Sequence, residues 1–315
     1  MRLFPAPSGS GTLFFDNLIA PDGLAVAYDP ATGGFVATPP FCVNRDIIGC
    51  NWAAPADGAF CEACAMTALA PDTSMPRALE NWAKTEAAKR WVLANLRRWG
   101  WFGPLDRGAR PVFHMLAEGV TPVVMGHADG VVSLSIEEAD PVLQINRREA
   151  LGERYRTMIG HIRHEIAHVL WWRLGLRQDF LDDFRSLFGD ERSDYGAALE
   201  QHYRDGPPTD WQDGYLSPYA TAHPHEDWAE TAAHLLHLVE ITDSAVATGL
   251  SGAALPGDDW MPYAEADPER LLDVAATLTL AINHVNRSMG LPDLYPFVLS
   301  DLARRKLAFA HAWLS

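Results

Sequence analysis

The sequence has no apolar run of the roughly 18 residues that a membrane-spanning helix needs, and its amino terminus, MRLFPAPSGSG, is broken by proline and glycine before a signal-peptide core could form. A cytoplasmic protein without membrane contact is expected. Positive charge is also scarce. Against 41 Asp and Glu stand 25 Lys and Arg, a formal net charge of −16 that repels phosphate backbones and anionic lipid at range, so nucleic acid is a poor candidate partner. There is no internal repeat and no low-complexity tract, which removes fibrous and disordered classes. Cysteine is limited to Cys42, Cys50, Cys61 and Cys64, all in the first quarter of the chain. In a reducing compartment such a cluster points to metal before disulfide.

What is present describes a globular protein: 315 residues, 48% hydrophobic, 10% aromatic and 21% charged, enough for one large domain with or without a small appendage. Residues 1–75 are rich in Gly, Pro and Asp, carry short β-like runs at 11–15 and 24–28, and read as a small loop-rich module. Ser74 is a plausible helix cap, after which Leu79, Trp82, Ala83, Ala87, Trp91 and Ala94 recur at helical spacing; a boundary follows near residue 75, with a second domain over 76–315. Segments 111–116, 122–125 and 131–136 are β-like, the last by alternation of Val132, Leu134 and Ile136 with polar neighbours. Helical patterns then dominate at 154–174, 178–188, 193–204, 225–248, 268–289 and 297–313. The fold class is α+β, a small sheet followed by a mainly helical part. The eleven tryptophans read as core anchors.

The strongest chemical signal is His164-Glu165-Ile166-Ala167-His168 inside a helical pattern. Residues i and i+4 share a helix face, so both imidazoles can reach one Zn²⁺, with Glu165 beside them to hold and deprotonate a water. His161 stands about 10 Å from His168 along the axis, too far for easy three-way convergence, and suits packing instead. Catalytic zinc usually takes a third protein ligand. A metzincin would supply Gly and His three and six residues after His168, where Trp171 and Leu174 stand. A downstream carboxylate is the alternative. Segment 223–230, HPHEDWAE, offers Glu226 and Glu230 at i and i+4, one to bind zinc and the other to accept a hydrogen bond from a ligating imidazole. Their helix has an apolar side of Trp228, Ala229, Ala232, Leu235, Leu236 and Val239; Glu226, Glu230, His234 and His237 lie opposite, on what a solvated face would equally resemble.

Cys61-x-x-Cys64 is a knuckle that places two thiolates on one metal, and four cysteines are the number a closed tetrahedral zinc site uses. Cys42 and Cys50 are spaced too widely for a second standard knuckle, so buried thiols or an oxidised pair stay open as readings.

GHIRHEIAHVLWWRL, FRSLFGDERSDYGAAL, HYRDGPP, YATAHPHEDWAETAAHLLH and LPDLYPFVLSDLARRKLAFAH resemble the bacterial zinc-binding metallopeptidase family that carries an amino-terminal zinc-ribbon domain, over nearly the whole chain. The resemblance implies a zincin-like fold for residues 76–315, with His164 and His168 as ligands, Glu165 as base, Glu226 as third ligand and Glu230 orienting a ligating imidazole. It also implies a ribbon with two more CxxC knuckles, but Ala6, Gly9, Ala20 and Gly23 stand there. One ribbon metal site is therefore expected to be lost, with the second on Cys42, Cys50, Cys61 and Cys64.

The expected function is zinc-dependent hydrolysis of a peptide or protein substrate, with one catalytic zinc and one structural zinc on the cysteines. Tyr219 and His223, just before the ligand helix, could donate to the oxyanion, and the strand at 131–136 could present an edge to an extended substrate. A catalytically silent zinc-binding adaptor and a zinc hydrolase of a non-peptide bond are the competing readings.

Overall fold

A computed structural model describes residues 1–118, 126–141, 143, 157–250, 252, 255–257 and 259–315. Among them are eight strands and nine α-helices, an α+β architecture. The chain forms two compact units, Met1–Ile162 and Arg163–Ser315. No helix among the described residues is long and apolar enough to cross a membrane.

In the first unit β1 (Phe4–Pro5) pairs with β2 (Thr12–Leu13), and β3 (Val26–Asp29) with β4 (Gly34–Ala37), both antiparallel. Their inward side chains form an aromatic cluster in which Tyr28 meets Phe15 at 5.0 Å, Trp52 at 5.7 Å and Phe4 at 5.8 Å between ring centroids. Edge-on contacts of this kind let a module with little regular structure bury a core. Two one-turn helices follow, α1 (Arg45–Ile48) and α2 (Glu62–Ala65).

A four-stranded sheet runs in the order β5 (Thr67–Leu69), β6 (Val112–Leu116), β8 (Val131–Ser135), β7 (Gly126–Ala128). The expected boundary near residue 75 thus falls inside the first unit, since β5 pairs with β6. Phe113, Met115, Val132 and Leu134 are buried while Val112, His114, Leu116, Val131 and Ser133 are not, the period-two pattern of a sheet with one face on the core. The strand expected to offer a free edge is paired on both sides over Val131–Ser133. β8 hydrogen-bonds to β6 on one side and β7 on the other, and Ile136 already begins a 3₁₀ turn. Segment 122–125 lies outside the described residues.

Helix α3 (Ala78–Arg97) starts later than Ser74 because Arg77, at φ +61°, sits between it and Pro76. Ser74 instead closes a turn with the Asp72 carboxylate. The helix buries Glu86, Lys89 and Arg90 along with Trp82, Val92 and Leu93, and the Lys89 ammonium lies 5.0 Å from the Phe113 ring centroid, so α3 packs on the sheet through polar as well as apolar groups. A buried ion pair, Lys89 to Glu86 at 2.8 Å, makes that burial tolerable.

The second unit is helical among its described residues. It comprises most of α4 (Met158–Leu174), then α5 (Gln178–Phe188), α6 (Tyr195–Asp205), α7 (Pro224–Ala247), α8 (Pro268–Ser288) and α9 (Asp301–Leu314). Phe180, Phe184 and Phe188 at i, i+4 and i+8 form one stripe of α5 and meet Trp228 of α7 at 5.5, 6.4 and 6.1 Å. The Trp228 indole donates to the Ala167 carbonyl at 2.9 Å, fixing α7 against the HExxH segment of α4. Helix α7 is buried around nearly its whole circumference, Glu226, His234 and His237 included, so the polar face that sequence alone could not tell from a solvated one is interior.

Candidate metal centres

Helix geometry brings the two histidines of α4 together, with His164 Nε2 and His168 Nε2 3.2 Å apart. The first turn of α7 supplies the third group. Glu226 Oε2 lies 3.0 Å from His164 Nε2 and Glu226 Oε1 3.5 Å from His168 Nε2. Ligand atoms at about 2.0–2.1 Å from a tetrahedral zinc are separated by roughly 3.3 Å, so the three spacings suit one ion. Glu230 stands on the opposite side of the first imidazole, its Oε1 2.8 Å from His164 Nδ1, where it would fix the ring's tautomer and orientation. His161 belongs elsewhere: its Nδ1 is 3.9 Å from Glu138.

Electrostatics fit a cation. Burial works against charge on His164, but hydrogen bonds to Glu226 and Glu230 outweigh it and hold its pKa well above the usual imidazole value. Burial likewise opposes charge on both carboxylates, yet the histidines keep Glu226 well below the ordinary range, and the His164 hydrogen bond draws Glu230 down to about 2. A cluster that pulls in a proton so strongly would accept a divalent ion in its place. Glu165, following the first ligand histidine, is raised by burial, against the pull of His164 and His168. Its Oε2 is buried and has no hydrogen-bond partner among the described residues. Such orphaned acceptors are rare and need a reason; a water between Glu165 and an ion would satisfy this one.

Of the two candidate oxyanion donors, Tyr219 is half-buried with its ring 6.1 Å from that of His164. His223 is committed otherwise. It caps α7, its Nδ1 accepting from the His225 N–H at 3.1 Å, and its Nε2 meets the Ser193 hydroxyl at 2.9 Å and the Ser193 carbonyl at 3.1 Å. Sequence reasoning missed Tyr195. Its hydroxyl donates to Glu226 Oε1 at 2.7 Å, across 31 positions of chain that no local spacing rule connects.

The four cysteines also converge. Cys50 Sγ is 3.6 Å from Cys61 Sγ and 3.7 Å from Cys64 Sγ. These spacings are far beyond a disulfide's ~2.05 Å and near the roughly 3.8 Å between thiolates on a tetrahedral zinc at about 2.3 Å. Cys61 caps α2 and accepts from the Cys64 N–H at 3.4 Å, the knuckle expected from CxxC; Cys42 Sγ accepts from the Cys61 N–H at 3.3 Å. Hydrogen bonds from Cys50, Cys61 and Cys64 push the Cys42 thiol down, while the hydrogen bond to Cys42 pushes Cys50 and Cys61 up. Buried Arg90 supplies positive charge alongside, and its Nη1 has no hydrogen-bond partner among the described residues. At the positions of the missing knuckles, Ala6–Gly9 and Ala20–Gly23 form two like turns closed by glycine N–H bonds of 2.8 and 2.9 Å. Both glycines have positive φ, +76° and +86°. Ser8 and Ser10 hydrogen-bond to each other at 2.9 Å there, and the Asp22 carboxylate accepts from the Leu24 N–H at 3.1 Å.

His164 and His168 on one helix and Glu226 on another thus bring three ligand atoms within 4.8 Å of one another, a group that could hold a metal ion. The family described as "Putative zinc-binding metallo-peptidase" matches residues 78–313, and the chain belongs to that family. It is similar to an uncharacterized protein of Mycobacterium tuberculosis and to one of Mycobacterium bovis, each 39% identical over 278 residues that span 86% of this chain and 81% of the relative. No solved structure matches it.

Proposed function

We propose that the protein is a zinc-dependent metallopeptidase that hydrolyses peptide bonds, with His164, His168 and Glu226 as ligands and Glu165 as general base. The observation that carries this reading is the buried Glu165 Oε2, without a hydrogen-bond partner among the described residues, beside three ligand atoms at tetrahedral spacing. Zinc held there would polarise the scissile carbonyl and acidify a water. Glu165 takes the water's proton and passes it to the leaving amine, which requires one carboxylate acting as base and then as acid. Glu230 holds the His164 ring through Nδ1, leaving Nε2 to face the ion. Tyr219 donates to the developing oxyanion, while His223, both ring nitrogens engaged, holds the loop before α7. The cysteine quartet holds a second, structural zinc that braces a module with little regular structure.

Glu165→Gln tests the reading. The amide keeps the shape but cannot take the proton, so zinc content should stay at the wild-type value while hydrolysis of a mixed peptide library falls by about 10²- to 10⁴-fold. Wild-type activity should vanish with a chelator and return with zinc. Turnover by Glu165→Gln at the wild-type rate would overturn the mechanism, and a metal-loaded wild type inert towards every peptide would leave an adaptor or a non-peptide hydrolase.

A further inference from the structure

We propose that Tyr195 is a positioning residue that keeps Glu226 a single-oxygen ligand and so preserves the open coordination position that hydrolysis needs. The inference rests on the ligand set just proposed and deepens it.

Both oxygens of Glu226 border the space between the imidazoles, Oε2 at 3.0 Å from His164 Nε2 and Oε1 at 3.5 Å from His168 Nε2. A carboxylate so placed can close on one ion with both oxygens. That would occupy the position which a catalytic site, unlike a structural one, leaves for water. The Tyr195 hydroxyl, 2.7 Å from Oε1, engages that oxygen's lone pair with a charge-assisted hydrogen bond and biases the carboxylate towards binding through Oε2 alone.

The placement of Tyr195 is built rather than incidental. It opens α6, whose cap Asp194 accepts from the Ala197 N–H at 3.0 Å, and none of the eleven residues of α6 is buried. Apolar packing therefore does not set where this helix lies; polar ties do. Ser193 meets His223 Nε2 and, two residues on, Tyr195 meets Glu226, so both contacts grip the first turn of α7. The Thr221 hydroxyl reaches His202 Nδ1 at 3.3 Å farther along the same helix. Tyr195 itself is 43% exposed, so losing its hydroxyl leaves the fold intact.

The test is Tyr195→Phe in the full chain, with Tyr203→Phe, exposed on the same helix, as control. Zinc content and the visible spectrum of the cobalt-loaded protein are each read as a difference from His164→Ala loaded identically, which subtracts the cysteine site. Zinc should be retained and the cobalt bands should shift in position and intensity as the second oxygen of Glu226 replaces the bound water. kcat should fall about 10- to 100-fold with KM little changed, the usual effect of losing a ligand's outer partner; Tyr203→Phe should change neither. A Tyr195→Phe spectrum identical to wild type overturns the proposal, whether kcat is unchanged or falls because the hydroxyl serves substrate directly. If His164→Ala holds as much metal as wild type, the proposed ligand set is itself wrong, a failure that this comparison separates from that of Tyr195.

Discussion

Replacing Glu226 and Glu230 by alanine, one at a time, separates two carboxylates that lie about 40° apart on the same helix face. Glu230 contributes one charge-assisted hydrogen bond of 2.8 Å to His164 Nδ1. Such a bond is worth about 1.5–3 kcal/mol. At about 1.4 kcal/mol per decade that is roughly a 10- to 100-fold loss of zinc affinity, the range typical of an outer partner. Glu226 offers both oxygens to the metal space and is 1% exposed. Its removal deletes a whole ligand with its charge and leaves the Tyr195 hydroxyl without its acceptor. Zinc affinity should then fall by on the order of 10³-fold or more, beyond any outer-partner loss. Competition against a chromogenic chelator measures both variants, with the cysteine-bound metal established first from His164→Ala. If Glu230→Ala loses its metal while Glu226→Ala retains it, the two roles are exchanged and the assignment made from Nδ1 against Nε2 fails.

Metal analysis should find two zinc ions per chain, and Cys61→Ser with Cys64→Ser together should remove one while lowering the stability of the first unit; two ions retained in that double variant would refute the cysteine site. Lys306 of α9, 3% exposed, donates to Asp227 at 2.6 Å and to the Gly214 carbonyl at 2.7 Å. Lys306→Met at pH 8 should cost about 3–5 kcal/mol in urea unfolding by stranding that carboxylate, and adding Asp227→Asn should recover much of it; a single-variant loss below about 1 kcal/mol would show that the pair holds nothing. His234 is lowered to about 4 by burial. The unfolded chain protonates it near pH 6.5 while the native state does not, so its contribution is intact above that pH and is lost as pH falls towards 4, about 3 kcal/mol over the whole window. His234→Gln in metal-stripped protein should remove that share of the acid sensitivity, and unfolding curves at pH 7 and 4.5 that respond alike in both proteins would contradict it.

The HExxH pair, the Cys61–Cys64 knuckle and most helices of the second half were legible in the sequence because each depends on a local repeat. Two histidines four apart share a face on any α-helix, and two cysteines three apart flank one turn. The helix expected at 178–188 is found over those residues for the same reason, its phenylalanines marking one stripe. Long-range partners carry no such mark. Glu226 and Glu230 share a face, and only the docking of α7 on α4, held by Trp228 on the Ala167 carbonyl, sets one carboxylate against Nε2 and the other against Nδ1 of the same imidazole. A helical wheel reports an angle about one axis, whereas the role of a carboxylate depends on which side of a ring on another helix it meets. The same limit hid Tyr195, concealed the capping of α7 by His223 and left open whether the polar face of α7 was wet. Pairing of β8 on both sides was invisible as well, since alternation shows which face is buried but not which edges are free.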